Sequence, residues 1–452
     1  MRLGNEEFEM IRLKTFSQGI HLFEEKSPTA GKRIRKVSLP EEVILPLQQH
    51  IGAPGQPLVK RGDQVKRGDK IADSKSFVSV PLHASISGVI TAIKPAPHPA
   101  GGRAKAIFIK REKKKEEEAW SVENKPEVNL SHFSAQEIRD RVREAGIVGL
   151  GGAAFPTHVK LTPPQGKLID VVILNGCECE PYLTGDHRLM LERPDDCLFG
   201  LKAVIKAVGA QRGYLGIENN KRDAIALFRD KTAGEENIEV VPLKTKYPQG
   251  GEKILVKAIL KREVPSGGLP LDVGVVVSNV GTAVAISECL KMNKPLIERV
   301  VTVSGSAVEK PVNLLVPLGI TFAAILKECA LSRSKVIRVI MGGPMMGISQ
   351  ATLEVPVIKG TTAILALSDE EVSVPVDDPC IHCGRCVDHC PTGLLPVELA
   401  RLIRAGQWER LENYHLMDCI ECGCCAYVCP AGIPIVQLIK LGKLELRKKS
   451  SS

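Results

Sequence analysis

The sequence has no run of 18 or more uninterrupted apolar residues, so nothing in it reads as a membrane-spanning helix. It opens MRLGNEEFEMIRLK, without the apolar stretch of a secretory signal, so export is not expected. Aromatic residues are scarce, 4% of the chain with only two Trp, and none interleave with a basic patch. The usual signature of a nucleic-acid binder is therefore missing. Charge of one sign does not dominate either: 61 Lys and Arg against 52 Asp and Glu leave a net +9. That mild excess suits an acidic protein partner, an anionic membrane surface or a generic soluble surface.

Cysteine, by contrast, is abundant, with fourteen in the chain. Without an export signal they point to a reducing compartment and to metal ligation rather than disulfides. The spacing C-x2-C-x2-C-x3-C-P occurs twice, at Cys380, Cys383, Cys386, Cys390-Pro391 and at Cys419, Cys422, Cys425, Cys429-Pro430. Four thiolates so spaced suit a [4Fe–4S] cluster, a one-electron carrier, and the doubled run is the two-cluster ferredoxin pattern. In that pattern the fourth cysteine of each run ligates the other cluster. The assignment is Cys380, Cys383, Cys386 and Cys429 for one cluster, and Cys419, Cys422, Cys425 and Cys390 for the second. A tetrahedral zinc site is the alternative, though zinc sites usually draw on two C-x-x-C pairs. Cys424 needs no ligand role, and Cys197, Cys289 and Cys329 read as packed core thiols.

At 452 residues the chain is too long for a single core. Residues 30–95 read as short strands and turns, with V-K-R-G-D repeated in Val59–Asp73 and period-two alternation in Phe77–Ile93. This stretch resembles a biotinyl/lipoyl-type barrel-sandwich domain. Lys75 falls near the position of a lipoyl lysine but reads as an ordinary turn lysine on an unmodified barrel. Lys110–Lys115 followed by Glu116–Glu118 reads as a solvated linker. From 134 to 290 apolar strands alternate with helices (LIDVVILNG, RGYLGIE, NIEVVPL and GVVVSNV among them), which predicts an α/β sheet covered on both faces. Residues 296–368 predict three strands around one helix, and the stretch after Asp378 predicts helices between the cysteine runs.

Four polar loops follow successive elements of the α/β unit. The first, Gly146–Lys160, carries Gly149, Gly151 and Gly152, whose exposed N–H groups permit close approach of a phosphate or flat ring, with Lys160 as a charge. It follows a helix, not a strand, and is not a Rossmann fingerprint. The others are N175-G-C-E-C-E-P, K246-Y-P-Q-G-G-E252 and S278-N-V-G-T282, the last at a helix N-terminus. Singly each reads as a turn with capping residues. Jointly, at the ends of one sheet's elements, they predict a nucleotide pocket.

The motifs G-x-x-G-x-G-G-A-x-F-P-T-x-x-K, N-x-x-E-x-E-P, G-x-E and N-V-x-T resemble the flavin-binding subunit of respiratory complex I. The N-terminal barrel, the domain order, the segment T15-F-S-Q-G-I-H-L-F and the double cysteine run are more similar still to the C subunits of Rnf electron-transport complexes. The resemblance implies a multidomain α/β fold. Its parts are an N-terminal barrel-sandwich domain (1–109), a charged linker (110–130), a complex-I-flavoprotein-like α/β domain for FMN and NAD(H) (131–294), a small β-grasp, SLBB-like domain (295–368), and a helical domain with two [4Fe–4S] clusters and a basic tail (369–452).

It also implies residue roles. Gly149, Gly151 and Gly152 would approach a non-covalent FMN, and Lys160 its phosphate side. Asn175 and Glu178 would bond around the ribityl chain and ring. Tyr247, Gly250, Gly251 and Glu252 would close the opposite side, and Asn279 and Thr282 would hold the phosphate. Phe155 and Glu180 would meet the nicotinamide nucleotide. The implied function is hydride exchange between NAD(H) and FMN followed by one-electron transfer with the clusters, linking ferredoxin oxidation to NAD+ reduction and ion translocation. No catalytic acid or base is expected. The implied setting is peripheral, on the cytoplasmic face of the cell membrane, beside membrane subunits and a ferredoxin-type iron–sulfur partner. A stand-alone flavin reductase, such as a cobalamin reductase, and a non-enzymatic relay are the alternatives.

Overall fold

The computed structural model describes residues 13–112, 128–372 and 377–451. The greater part of the expected charged linker, residues 113–127, lies outside them. Among the described residues the strands form four sheets.

The N-terminal barrel combines an antiparallel sheet, ordered Glu42–Pro46, Arg103–Arg111, Gly88–Pro97, Gln64–Val65, with a three-stranded sheet of Gln56–Pro57, Lys70–Asp73 and Leu82–His83. Alternating inward residues such as Val43, Leu45, Ile90, Ile107 and Ile109 fill it. Lys75 is exposed in the turn before Leu82–His83. The same core continues into a six-stranded sheet. Its order is Arg35–Lys36, Val312–Pro317, Glu298–Ser304, Ala363–Leu367, Arg338–Met341, Ile348–Ser349, with the helix Phe322–Glu328. Sequence patterning found three of these strands. It missed Val312–Pro317 and the two short edge strands, one of which comes from the segment ahead of the barrel.

The α/β unit is a parallel sheet ordered Ile238–Leu243, Arg212–Glu218, Val171–Gly176, Val275–Asn279. The central residues of its strands are mostly apolar because both faces of the sheet are covered. Helices Ala135–Glu144, Pro194–Val208, Arg222–Lys231 and Val280–Met292 pack on one face, and Glu252–Leu260 on the other. A capping box between Ser134 and Glu137 starts the first of them. Pro194–Val208 and Val280–Met292 meet so closely that a side chain at Gly200 would overlap the Ala283 backbone. The chain leaves Val171–Gly176 toward one side of the sheet and later returns to its other side as Val275–Asn279. The switch point therefore lies between those two strands, where Asn175 and Asn279 stand in register. Open α/β sheets bind ligands at the carboxyl ends of the strands there.

The segment ahead of the barrel runs along this unit. Lys14 pairs with Leu243, and Ile20 with Tyr247. The cysteine-bearing unit is helical, built on Pro396–Arg404 and Ile435–Ser451 around Leu399, Leu402, Ile403, Leu411, Leu416 and Ile439. The lysine-rich end of the sequence is the last turn of the second helix rather than a separate tail.

Candidate functional site

The glycine loop lies over the switch point. Gly149 N–H donates to Phe155 O at 2.8 Å, and Leu150 N–H to the Thr282 hydroxyl at 2.9 Å, closing the loop onto the start of helix Val280–Met292. Asn279 caps that helix, its Oδ1 accepting from Gly281 N at 2.8 Å. Its Nδ2 donates to Asp186 Oδ2 at 2.6 Å. Gly151 and Gly152 are exposed above it. A Cβ added at Gly151 would come no nearer than 3.6 Å to Asn279, and one at Gly152 would stand 3.9 Å from Thr362. Packing within the protein therefore does not demand glycine at Gly151. A bare backbone facing open space is a cradle that a flat ring can enter and a side chain would fill.

Lys160, on the short helix Thr157–Lys160, reaches across to the Glu252 carboxylate and to Val277 O, 3.3 Å away. Asn175 Nδ2 donates to Gly250 O at 2.8 Å, holding the KYPQGGE loop against the strand end. Gly251 precedes helix Glu252–Leu260, and Gly250 N–H meets Cys179 Sγ at 3.4 Å. These residues and the glycine loop are brought to the same end of the sheet.

Several polar atoms of the expected site residues are already committed within the protein. The Glu178 carboxylate accepts from Asp186 N at 2.7 Å and His187 N at 3.1 Å, at the start of helix Gly185–Glu192. The Thr282 hydroxyl holds Leu150. The Tyr247 hydroxyl donates to Cys422 O at 2.7 Å. Glu180 accepts from Met345 N at 3.0 Å and Met346 N at 2.9 Å, between strands Arg338–Met341 and Ile348–Ser349, and burial pushes its carboxyl up to about 7 despite those two amides. A side chain at Gly343 would overlap it.

Four charged residues outside the loops complete the surroundings, and local sequence carries no signal for three of them. Lys26, from the leading segment, donates to Glu178 O and Glu180 O at 2.8 Å each and to Leu183 O at 2.5 Å. Arg299 lies buried beneath the loop, donating to Lys359 O and to Leu150 O at 3.1 Å; burial lowers it to about 10. Lys359, 1% exposed, donates to Pro81 O at 2.9 Å and Gly146 O at 2.7 Å, and burial brings it down to about 7. Asp186, in the first turn of helix Gly185–Glu192, is raised to about 7 by burial and then by Glu178. At the ends of strands Arg212–Glu218 and Ile238–Leu243 a polar cleft of about 660 Å³ opens between His187, Asn220, Arg222, Asp223 and Lys244.

In the cysteine unit, Cys390, Cys419, Cys422 and Cys425 line one cavity, with Cys424 beside them. Cys380, Cys386 and Cys429 pack at the edge of the same core, and Cys383 is exposed. Among the described residues no three His, Cys, Asp or Glu side chains converge closely enough to hold a single metal ion. Four of the eight thiols of the two runs thus line one cavity, as the ligands of a shared cluster would.

A model of the 4Fe-4S dicluster domain matches residues 379–433, the Nuo51 FMN-binding domain matches 142–288, and the RnfC barrel sandwich hybrid domain matches 14–114. The C subunit of the proton-translocating ferredoxin:NAD(+) oxidoreductase complex of Clostridium ljungdahlii is 46% identical over 408 residues, covering 90% of this chain and 88% of the relative. The chain belongs to the C-subunit family of these complexes. A second member, the C subunit of the Na(+)-translocating ferredoxin:NAD(+) oxidoreductase complex of Acetobacterium woodii, is 44% identical over 90% of this chain and 91% of the relative. The C subunit of the ion-translocating oxidoreductase complex of Rhodobacter capsulatus is 40% identical over 90% and 78%. An NAD+-reducing [NiFe]-hydrogenase structure, 20% identical, aligns with a TM-score of 0.50 over 71% of this chain and 63% of its own, and shows the fold alone. No helix among the described residues is long and apolar enough to cross a bilayer.

Proposed function

We infer that this family member carries electrons between NAD(H) and one-electron carriers in an ion-translocating ferredoxin:NAD+ oxidoreductase complex. The observation that carries the reading is the single body formed by the glycine cradle at the switch point and the eight-cysteine unit, joined at Tyr247 and Cys422. FMN, when bound, exchanges hydride with NAD(H) and single electrons with two [4Fe–4S] clusters; the bond chemistry is the cofactors' own. The protein supplies position and electrostatics. Gly149, Gly151 and Gly152 admit the flavin, Lys160 offers a cation for its phosphate side, and Asn175 and Asn279 hold the strand ends that frame it. Phe155 would meet the nicotinamide nucleotide, and Glu180, whose carboxylate already accepts from Met345 N and Met346 N, would border it. Cys380, Cys383, Cys386 and Cys429 hold one cluster and Cys419, Cys422, Cys425 and Cys390 the other. The protein sits peripherally on the cytoplasmic face of the cell membrane, oxidising ferredoxin and reducing NAD+. Anaerobic reconstitution tests this. The expected product contains FMN and about eight iron atoms, as two four-iron clusters require, and reduces a dye with NADH. Protein that takes up iron but neither FMN nor NADH-derived electrons would leave only a relay.

A further inference from the structure

The loop that leaves strand Val171–Gly176 is held by two lysines from outside it. Lys26 Nζ donates to Glu178 O and Glu180 O at 2.8 Å each and to Leu183 O at 2.5 Å, so all three ammonium protons go to this one loop. Lys221, 1% exposed, donates to Cys177 O at 2.6 Å. Lys221 also stands 3.4 Å from the buried Glu218 carboxylate. Lys26 has no carboxylate at salt-bridge distance among the described residues; Lys221, Glu178 and Glu218 are the charged groups that act on it. The leading segment has other anchors. Ile20 and Tyr247 exchange backbone hydrogen bonds of 2.9 Å, Lys244 N–H donates to Lys14 O at 3.0 Å, and Tyr182 N–H donates to Glu24 O at 2.9 Å. The triple grip of Lys26 is more than attachment of that segment requires.

The grip sets the backbone of the loop. Glu178 and Tyr182 lie in the left-handed region, at φ 47° and 68°, which residues other than glycine adopt where their surroundings impose it. A trans peptide sets its C=O and the following N–H on opposite sides. With Cys177 O turned to Lys221 and Glu178 O to Lys26, the N–H groups of Glu178 and Cys179 face away from both ammoniums. Neither meets a protein acceptor among the described residues. Successive free N–H groups suit an anion or a carbonyl oxygen, and the loop that carries them starts at Asn175, beside the switch point.

We propose that Lys26 is a positioning residue for the flavin: it turns the peptides after Cys177 so that their N–H groups are presented to FMN, and it leaves a positive charge behind them. This rests on the functional reading above. FMN gains negative charge on reduction, and donors and cations near the ring favour that charge. Lys26 therefore raises the potential at which bound FMN is reduced.

The test is fluorescence titration with FMN and spectroelectrochemistry on the anaerobically reconstituted full chain. Lys26→Met should bind oxidised FMN at least tenfold more weakly and reduced FMN at least a hundredfold more weakly. The further tenfold is a fall of about 30 mV in the midpoint of a two-electron couple. Lys26→Gln removes the charge and keeps two donors, and should show a lowered midpoint even where Lys26→Met fails to fold. Lys26→Arg keeps the cation and should keep the parent's midpoint. A lower melting temperature with an unchanged midpoint in the two neutral variants would reduce Lys26 to an anchor of the leading segment and overturn the proposal. An equal fall in Lys26→Arg would overturn it too. A parent that binds no FMN would instead defeat the functional reading beneath it.

Discussion

The Tyr247 hydroxyl donates to the carbonyl oxygen of Cys422 at 2.7 Å, so a loop at the switch point of the α/β sheet is bonded to a cysteine run from the far end of the chain. Both partners are buried. Tyr247→Phe leaves that carbonyl without its donor, a cost of about 1–3 kcal/mol. The expected outcome is a lower melting temperature and slower flavin-to-cluster electron transfer with flavin content unchanged, read by calorimetry, rapid kinetics and absorbance. Loss of flavin would instead mean that Tyr247 touches the flavin directly.

Gly151 can be filled without disturbing the protein. Gly151→Ala should melt within about a degree of the parent, because its Cβ clears Asn279 at ordinary contact distance. The same variant should bind FMN at least tenfold more weakly, and Gly151→Leu more weakly still, measured by fluorescence titration. Equal FMN affinity would remove the cradle from the site.

Lys160→Ala should lower FMN occupancy and leave iron and sulfide unchanged. Lys160 pairs with Glu252 and Val277, both in the α/β unit, and with no cysteine. Cofactor analysis of one anaerobic preparation decides it.

The cavity shared by Cys390 with Cys419, Cys422 and Cys425 predicts that Cys390→Ser perturbs the same EPR signal as Cys422→Ser. If Cys390→Ser matched Cys383→Ser instead, the crossed ligation would be wrong.

Lys359 gives a pH prediction. Its folded-state pKa, about 7, lies below its ordinary 10.5 because burial disfavours the cation. Between those values the unfolded chain binds the extra proton, so stability rises with pH from about 7 to about 10.5 and levels off below 7, where both states carry the proton. Lys359→Met should flatten that rise, worth on the order of a few kcal/mol. Denaturation midpoints across that range measure it; an unchanged slope would show that Lys359 stays charged.

What was legible in the sequence is what is local. Three of the four ligands assigned to each cluster lie within a few residues of one another, so their spacing could be read directly. VVILNG, RGYLGIE and NIEVVPL are apolar because both sheet faces are covered, and each forms the strand expected. The contents of the site were harder, because they depend on which distant segments meet. Nothing near Lys26, Arg299 or Lys359 announces that each will give its protons to main-chain carbonyls of another module. Thr282 reads as a phosphate ligand from its motif, yet its hydroxyl holds Leu150 N–H. The strand Val312–Pro317 escaped notice because the helix signal that follows it is stronger than its own short alternation.

Lys26, Gly146 and Lys359 lie far apart along the chain but meet around one cradle. During synthesis Lys26 emerges from the ribosome early, and the loop it will hold follows some 150 residues later. Arg299 and Lys359, which grip the carbonyls beneath the glycines, appear only after the whole parallel sheet has been made. A nascent chain shorter than about 360 residues thus has every flavin motif and an unsupported glycine loop. The cradle becomes complete only shortly before the first cluster cysteines are translated, which places flavin capture and cluster insertion close together in the life of the protein.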